Sequence, residues 1–151
     1  NEKDILDKKI TLTKTNRGGK ITLHNPGQKV IYFVLDLNKR KKDIRNLVKN
    51  IENSIIEFLK IYQIDSYADK KNIGIWVNKK KIAAIGIRVT QWIAYHGCSI
   101  NINNSLNPYQ KIIPCGLDNQ KVTSVKNEIK KDIKNVENNL KRIFIKNLEN
   151  I

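Results

Sequence analysis

Residues 73–89 have the sequence IGIWVNKKKIAAIGIRV, in which two runs rich in isoleucine and valine are separated by the polar residues Asn78-Lys79-Lys80. Runs of this composition, bounded by a polar break, are typical of β-strands. The break, Asn78-Lys79-Lys80, has the length and composition of a tight turn. The stretch therefore predicts a β-hairpin with strands over residues 73–77 and 81–89.

Further extended segments lie on either side of this hairpin. Residues 30–37, VIYFVLDL, form a nearly continuous apolar run, which is typical of a strand covered on both faces. Residues 92–103 also have an extended pattern, with a break at His96-Gly97. These segments predict that the hairpin belongs to a larger sheet.

Two segments have the spacing of amphipathic helices. Over residues 44–62 and again over 124–144, apolar residues recur every three or four positions. The first predicts one long helix and the second predicts one or two. Several strands and two helical regions predict an α/β fold of the α+β type, a mixed sheet with packed helices. With 151 residues and no obvious linker, we expect one domain over residues 1–151.

The chain carries a net charge of +15, which raises the question of a nucleic-acid partner. Of its 29 basic residues, 24 are lysine, whereas bidentate recognition of phosphates and bases favours arginine. The charge is spread along the chain without aromatic residues between the basic ones, as stacking on bases would require. The sequence favours a solvated basic surface, or a docking surface for an acidic protein, over a nucleic-acid interface.

The apolar runs and the cysteines of the sequence bear on the cellular location of the protein. The sequence has no apolar run approaching the roughly 20 residues that cross a bilayer, and its first residues lack the pattern of a signal segment. Two cysteines are too few for a disulfide scaffold. We therefore expect a cytoplasmic protein with no membrane partner.

Two segments contain residues that could bind a ligand closely. The pair Gly18-Gly19 suits either a turn or a close backbone approach to a ligand. Lys81 is either the last of three solvated lysines or a functional residue at the start of a strand. The small residues Ala84 and Gly86 leave room for a ligand or a packed helix beside that strand.

The remaining candidates are two histidines and two cysteines. His24 and His96 lie far apart in sequence and lack close paired ligands, which argues against a zinc site. Cys98 lies inside an extended segment and is interpreted as a packing residue. Cys115 lies between a proline and a glycine at the end of a loop, where an exposed, nucleophilic thiol is plausible.

Four ordered motifs over about residues 5–125 resemble the lipoyl(octanoyl) transferases, the octanoyl-[acyl-carrier-protein]:protein N-octanoyltransferases of lipoate biosynthesis. Residues 17–28 resemble the family stretch Arg-Gly-Gly-x-x-Thr-Tyr-His-Gly-Pro-Gly-Gln. Residues 74–89 resemble Gly-Val-Trp-Val followed by Lys-Ile-Ala-Ala-Ile-Gly-x-Arg-Val, and residues 96–101 resemble His-Gly-x-x-x-Asn. Residues 112–116 resemble Ile-x-Pro-Cys-Gly, with Thr-Ser following at 123–124.

The resemblance implies a fold shared with the catalytic domains of biotin and lipoate ligases, and a Cys–Lys pair. Cys115 would be the nucleophile that takes the acyl chain as a thioester, and Lys81 would lower the pKa of its thiol and move its proton. No cofactor or metal is implied. Three segments would line the acyl site: Arg17, Gly18, Gly19, Lys20, Ile21, Thr22, Leu23 and His24; Ala84, Ile85 and Gly86; and Gly97, Cys98 and Ser99.

The implied reaction is transfer of an octanoyl group from octanoyl-acyl carrier protein to a lysine, the first step of endogenous protein lipoylation. The implied acceptors are the lipoyl domains of 2-oxoacid dehydrogenase complexes and the glycine cleavage H protein. Leu23 replaces the family tyrosine and Asn25 the family glycine, and we expect a truncated N-terminal part. The alternatives are an inactive or partial transferase-like domain that binds acyl carrier protein, and an ATP-dependent lipoate-protein ligase.

Overall fold

The computed structural model of the chain describes residues 13, 15–19, 21–111, 121–129, 133–149 and 151. Its strands are β1 (Gln28–Asp36), β2 (Tyr67–Ala68), β3 (Ile75–Val77), β4 (Lys80–Thr90) and β5 (Ile93–Asn101). Its helices are α1 (Ile44–Ile61), α2 (Val125–Ile129) and α3 (Val136–Glu149), and two short 3-10 helices cover Leu37–Lys39 and Asn107–Lys111.

The five strands form one sheet in the order β1-β5-β4-β3-β2, with every neighbouring pair antiparallel. A parallel bridge between Lys81 and Val122 adds a short further contact at the start of β4. The expected mixed sheet with packed helices is therefore confirmed.

The hairpin over residues 73–89 is also confirmed, as strands β3 and β4. Its two turn residues, Asn78 and Lys79, have φ angles of 46° and 63°. Two consecutive positive φ angles define a type I′ turn, whose twist matches that of the strands it joins. Lys80, which the sequence places in the turn, is already part of β4.

The expectation that residues 30–37 are covered on both faces is wrong. Along β1 half-buried and exposed positions alternate, and Tyr32 and Val34 are 70% and 74% exposed. Among the described strands, β1 pairs only with β5, so it lies at one edge of the sheet. Its alternate residues, Ile31 and Phe33, pack on the core, whereas the other face is open.

Helices α1 and α3 pack against each other and against the sheet, which together enclose the hydrophobic core. The predicted long helix begins where the Asp43 carboxylate accepts a hydrogen bond from the Asn46 backbone N–H, a standard N-cap contact. The second helical region forms two helices, because residues 133–135 are not helical and Asn135 has a φ of 57°. Within the described residues, no helix combines the length and the apolar character needed to cross a membrane.

Candidate functional site

Lys81 lies at the start of β4 and is only 7% exposed, so it is not one of three solvated lysines. Its backbone N–H donates to the Lys121 carbonyl at 2.9 Å, and its carbonyl accepts from the Thr123 N–H at 3.0 Å. These bonds hold residues 121–123 beside Lys81.

The Lys81 side chain extends over two residues of the preceding strand region. Its Nζ lies 5.0 Å from the centre of the Trp76 ring. A Cβ atom on Gly74 would lie 3.0 Å from Lys81 Cε, so the lysine stem occupies the space beside that glycine. Trp76 is itself buried, and its indole N–H donates to the Asn72 carbonyl at 3.0 Å.

The Arg-Gly-Gly motif lies directly on β4. The Gly18 N–H donates to the Ile87 carbonyl at 3.1 Å, and a Cβ on Gly18 would lie only 2.5 Å from that oxygen. A Cβ on Gly86 would in turn meet the Gly18 carbonyl at 3.1 Å and Arg17 Cδ at 3.3 Å. Two of the three segments that the sequence assigns to the acyl site are therefore in contact.

The third segment lies on the neighbouring strand. In the β4–β5 register, Gly86 is opposite Gly97 and Ala84 is opposite Ser99. A Cβ on Gly97 would lie 1.9 Å from the Ile31 carbonyl oxygen. The glycine at 97 is thus required by the approach of β1.

Cys98 and Ile85 lie opposite each other in the register, and both side chains pack in the hydrophobic core. Any contact of these residues with a ligand on the opposite face of the sheet would come from their backbone atoms. Burial raises the pKa of the Cys98 thiol to about 12, so it stays protonated at neutral pH. This environment agrees with the interpretation of Cys98 as a packing residue.

The end of the first motif is a turn that docks on the chain after β5. The exposed His24 contacts the Gln28 side chain, with Nδ1 and Oε1 2.7 Å apart. Asn25 donates to the Ser105 carbonyl at 2.7 Å and accepts from the Asn104 amide at 2.9 Å. The asparagine that replaces the family glycine therefore anchors this turn. Between this turn and Gly19, three residues are half-buried: Ile21, Thr22 and Leu23.

Asn101, at the end of β5 and of the His-Gly-x-x-x-Asn motif, is the centre of a polar network, a role that the sequence did not assign to it. Its Oδ1 accepts from Gln28 at 2.8 Å, from Tyr109 at 3.1 Å and from Asn104 at 3.2 Å. Its Nδ2 donates to the Thr123 carbonyl at 3.0 Å. Tyr109 precedes residues 112–120 and Thr123 follows them, so one buried amide connects both flanks of that segment.

Asn16 was also missed, and it fixes the start of the first motif. Its carbonyl accepts from Arg88 at 2.9 Å, and its Oδ1 lies 2.9 Å from His96 Nε2. His96 has a φ of 69°, which interrupts the regular extended backbone at the predicted break in β5.

Cys115 and Lys20 lie outside the described residues, as do the neighbouring motif positions 112–116. Within the part of the chain that the structure describes, no three His, Cys, Asp or Glu side chains are grouped so that they could hold a metal ion.

Known proteins with similar sequences identify the family of this chain. Residues 1–145 match the family model of the lipoyl protein ligase A/B catalytic domain, which places the chain in that class of proteins. The octanoyltransferase of the Wolbachia endosymbiont of Brugia malayi is 42% identical over 149 residues, covering 95% of this chain and 73% of that protein. The chain belongs to the octanoyltransferase family, as its motifs indicated.

The chain spans only part of the length of its relatives. Octanoyltransferases of Buchnera aphidicola from Acyrthosiphon pisum and of Wolbachia pipientis from Culex pipiens are 42% and 46% identical, each over 81% of this chain. The chain spans 58% of the first and 62% of the second.

Solved structures support the fold. An ATP-bound lipoate-protein ligase A superposes with a TM-score of 0.80 at 16% identity, covering 98% of this chain and 65% of that one. The biotin protein ligase of Aquifex aeolicus gives a TM-score of 0.65 at 18% identity, covering 82% of this chain and 53% of that one. The expected fold, shared with biotin and lipoate ligases, is therefore confirmed.

Proposed function

We propose that this chain is a catalytic domain that accepts an octanoyl group from octanoyl-acyl carrier protein on Cys115 and passes it to a lysine of a lipoyl domain. Membership of the octanoyltransferase family supports octanoyl transfer in lipoylation. The finer assignment, a Cys115–Lys81 pair, is argued from the surroundings of Lys81.

The observation that carries the assignment is the pairing of Lys81 with residues 121–123. Cys115 lies six positions before Lys121, and six residues span at most about 20 Å. The backbone contacts at Lys81 therefore limit how far from it the thiol can lie. This limit allows Cys115 to form a pair with the buried amine.

An adjacent ammonium would make the thiol reactive. A free cysteine is only about 3% thiolate at pH 7, and the thiolate is the nucleophile. Two unit charges about 4 Å apart, at an effective dielectric constant near 20, attract by up to about 4 kcal/mol. Lowering the pKa of the thiol by about two units would make the cysteine mostly thiolate and needs roughly 2.7 kcal/mol. The attraction of one ammonium is therefore sufficient.

One amine can serve both half-reactions without a net gain or loss of protons. In the first, the Cys115 thiolate attacks the carrier thioester, the carrier leaves as a thiolate, and this thiolate takes a proton from the Lys81 ammonium. In the second, the amine of the acceptor lysine attacks the acyl-Cys115 thioester and forms the amide. Its proton goes to the neutral Lys81, and Cys115 leaves as the thiolate.

The surface beside β4 suits an apolar chain. Ala84 and Gly86 have little or no side chain on the face where Arg17 and Gly18 lie against the strand. Ser99, opposite Ala84, is the neighbouring side chain on β5. We propose that the octanoyl chain lies along this face, beside the Arg-Gly-Gly segment that packs on it at Gly86.

The proposed partners are proteins. The net charge of +15 suits docking of an acidic carrier protein, and the acceptors are lipoyl domains of 2-oxoacid dehydrogenase complexes and the glycine cleavage H protein. The proposed location of this reaction is the cytoplasm.

Mass spectrometry tests the nucleophile. Incubation with octanoyl-acyl carrier protein should add one octanoyl group to the wild type and to the Cys98→Ser variant, and none to Cys115→Ser. An adduct that persists in Cys115→Ser would overturn the assignment. Octanoylation that requires ATP and free octanoate would instead identify a ligase, and carrier binding without any adduct would identify an inactive binding domain.

The role of Lys81 is tested by a substitution, with the same substitution at the neighbouring Lys80 as the control. Lys81→Met should slow transfer to a lipoyl domain by about 10²- to 10⁴-fold, the usual contribution of a positioned acid or base. Lys80→Met is the matched control, because Lys80 is partly exposed and its ammonium lies 3.9 Å from the half-buried Glu128 carboxylate. Equal rates for the two variants would exclude the proposed role of Lys81.

A further inference from the structure

We infer that Trp76 is a positioning residue for the reaction, which holds the Lys81 ammonium at the site through the face of its indole ring. The inference rests on the proposed function of Lys81. It assigns a role to the Gly-x-Trp motif that precedes β4 and that the family resemblance left without one.

The first step is the contact itself. The Lys81 Nζ lies 5.0 Å from the Trp76 ring centre, within the range of a cation–π interaction. The two residues are opposite each other in the β3–β4 register, so the hairpin places them together. Because Lys81 and Trp76 are both more than nine-tenths buried, the contact is screened by little water.

The second step is the path of the lysine stem. Gly74 has no side chain where a Cβ would approach Lys81 Cε at 3.0 Å and Cδ at 3.6 Å. The stem can therefore pass over Gly74 and bring the ammonium to the ring. A larger residue at position 74 would divert it, and would also meet the Ala83 carbonyl at 2.6 Å.

The third step is the anchoring of the ring. The Trp76 indole N–H donates to the Asn72 carbonyl at 3.0 Å. Asn72 is held in turn by Asp69, whose carboxylate accepts from the backbone N–H of Lys71 at 2.7 Å and of Asn72 at 3.2 Å. The hydrogen bond from the Lys71 backbone N–H has the larger effect and that from Asn72 the smaller, and together they keep the pKa of Asp69 below its usual value. The ring whose face lies under the Lys81 ammonium is thus fixed at its N–H edge.

A lysine has four rotatable side-chain bonds, so a buried amine that must face a thiol gains from a fixed partner. The indole ring attracts the ammonium and limits it to one side of the hairpin. The expected result of losing the ring face is a slower chemical step with unchanged binding of the carrier protein.

The experiment compares Trp76→Phe and Trp76→Leu with the wild type. Leucine should lower the kcat of transfer by about 3- to 30-fold, the range that a partly or fully desolvated cation–π contact corresponds to. The KM for octanoyl-acyl carrier protein should stay within about twofold. Phenylalanine keeps an aromatic face and should restore most of the loss.

Trp92→Leu is the matched control, because Trp92 also has a lysine, Lys42, 5.6 Å from its ring centre, but is 37% exposed at the β4–β5 turn. It should leave kcat and KM unchanged. Urea unfolding of each variant verifies that the assays use folded protein. Equal kcat values for Trp76→Leu and wild type, or equal losses for the leucine and phenylalanine variants, would overturn the inference.

An NMR measurement that does not depend on octanoyl transfer tests this inference separately from the proposed function. In protein labelled with ¹³C-lysine, the Lys81 Hε signals, identified by their loss in Lys81→Arg, should be shifted upfield by the ring. They should move to ordinary positions in Trp76→Leu but not in Trp92→Leu. Unshifted signals in the wild type would refute the positioning role, whereas shifted signals in a protein that fails to transfer octanoyl would refute only the function.

Discussion

Replacing Asn101 with alanine would remove the amide that joins Gln28, Asn104, Tyr109 and the Thr123 carbonyl. Two of these groups keep other partners, because the Gln28 amide also donates to Tyr109 and the Asn104 amide also donates to Asn25. The Thr123 carbonyl and the Tyr109 hydroxyl proton would each lose a hydrogen bond.

The cost follows mainly from the burial of Thr123. An unsatisfied buried polar group costs about 1 to 3 kcal/mol, and the buried Thr123 carbonyl is at the upper end of this range. The half-buried Tyr109 hydroxyl still accepts a hydrogen bond from Gln28, so it adds little to the cost. We expect the free energy of unfolding to fall by about 2 to 3 kcal/mol.

Urea unfolding followed by tryptophan fluorescence measures this change. With an m-value of about 2 kcal/mol/M, the midpoint should fall by about 1 to 1.5 M. Asn103→Ala is the matched control, because Asn103 is exposed and surface substitutions usually change stability by less than about 0.5 kcal/mol. If the two variants unfold at the same urea concentration, the buried amide does not stabilise the flanks of residues 112–120 as argued.

Three further predictions concern other parts of the fold. Hydrogen bonds from Asn147 and then Lys146 lower the pKa of Glu57, so their stabilisation is present above about pH 4.5 and is lost as the pH falls through the lowered pKa. The difference in urea midpoint between wild type and Glu57→Gln should accordingly be largest near pH 7 and shrink toward acid, and a constant difference would contradict this origin. In Cys115→Ser protein at pH 8, iodoacetamide should alkylate Cys98 slowly until urea unfolds the chain, since burial raises its pKa to about 12; rapid labelling of the native protein would show that the thiol is accessible. Gly97→Ala should yield insoluble or strongly destabilised protein on expression, because its methyl group would lie 1.9 Å from a β1 carbonyl oxygen, and a wild-type melting temperature would show that β1 can shift.

The elements with a regular local pattern could be predicted from the sequence. The helical spacing over residues 44–62 and the hairpin over 73–89 depend on neighbours a few positions away, and both are present. The exposure of Tyr32 and Val34 depends instead on what covers the far side of β1. An apolar run does not contain that information, so the prediction of a strand buried on both faces was wrong.

The candidate site was predictable only in its outline. The motifs brought Arg17, Gly18 and Gly86 into one hypothesis, and the structure places them in contact. Asn101 belongs to a quoted motif, but its partners Gln28, Thr123 and Tyr109 lie 73, 22 and 8 positions away, so the sequence could not show that its amide joins them. A tryptophan in an apolar strand is most often a core residue, which concealed the contact of Trp76 with Lys81.

The type I′ turn between β3 and β4 has a consequence for protein engineering. Lys79 adopts a φ of 63°, a conformation that glycine tolerates best, and Asn-Gly is the preferred pair for this turn. A Lys79→Gly change would therefore relieve backbone strain while removing one surplus positive charge. Thermostable versions of this domain could be sought at that exposed loop tip, away from the polar network and the core.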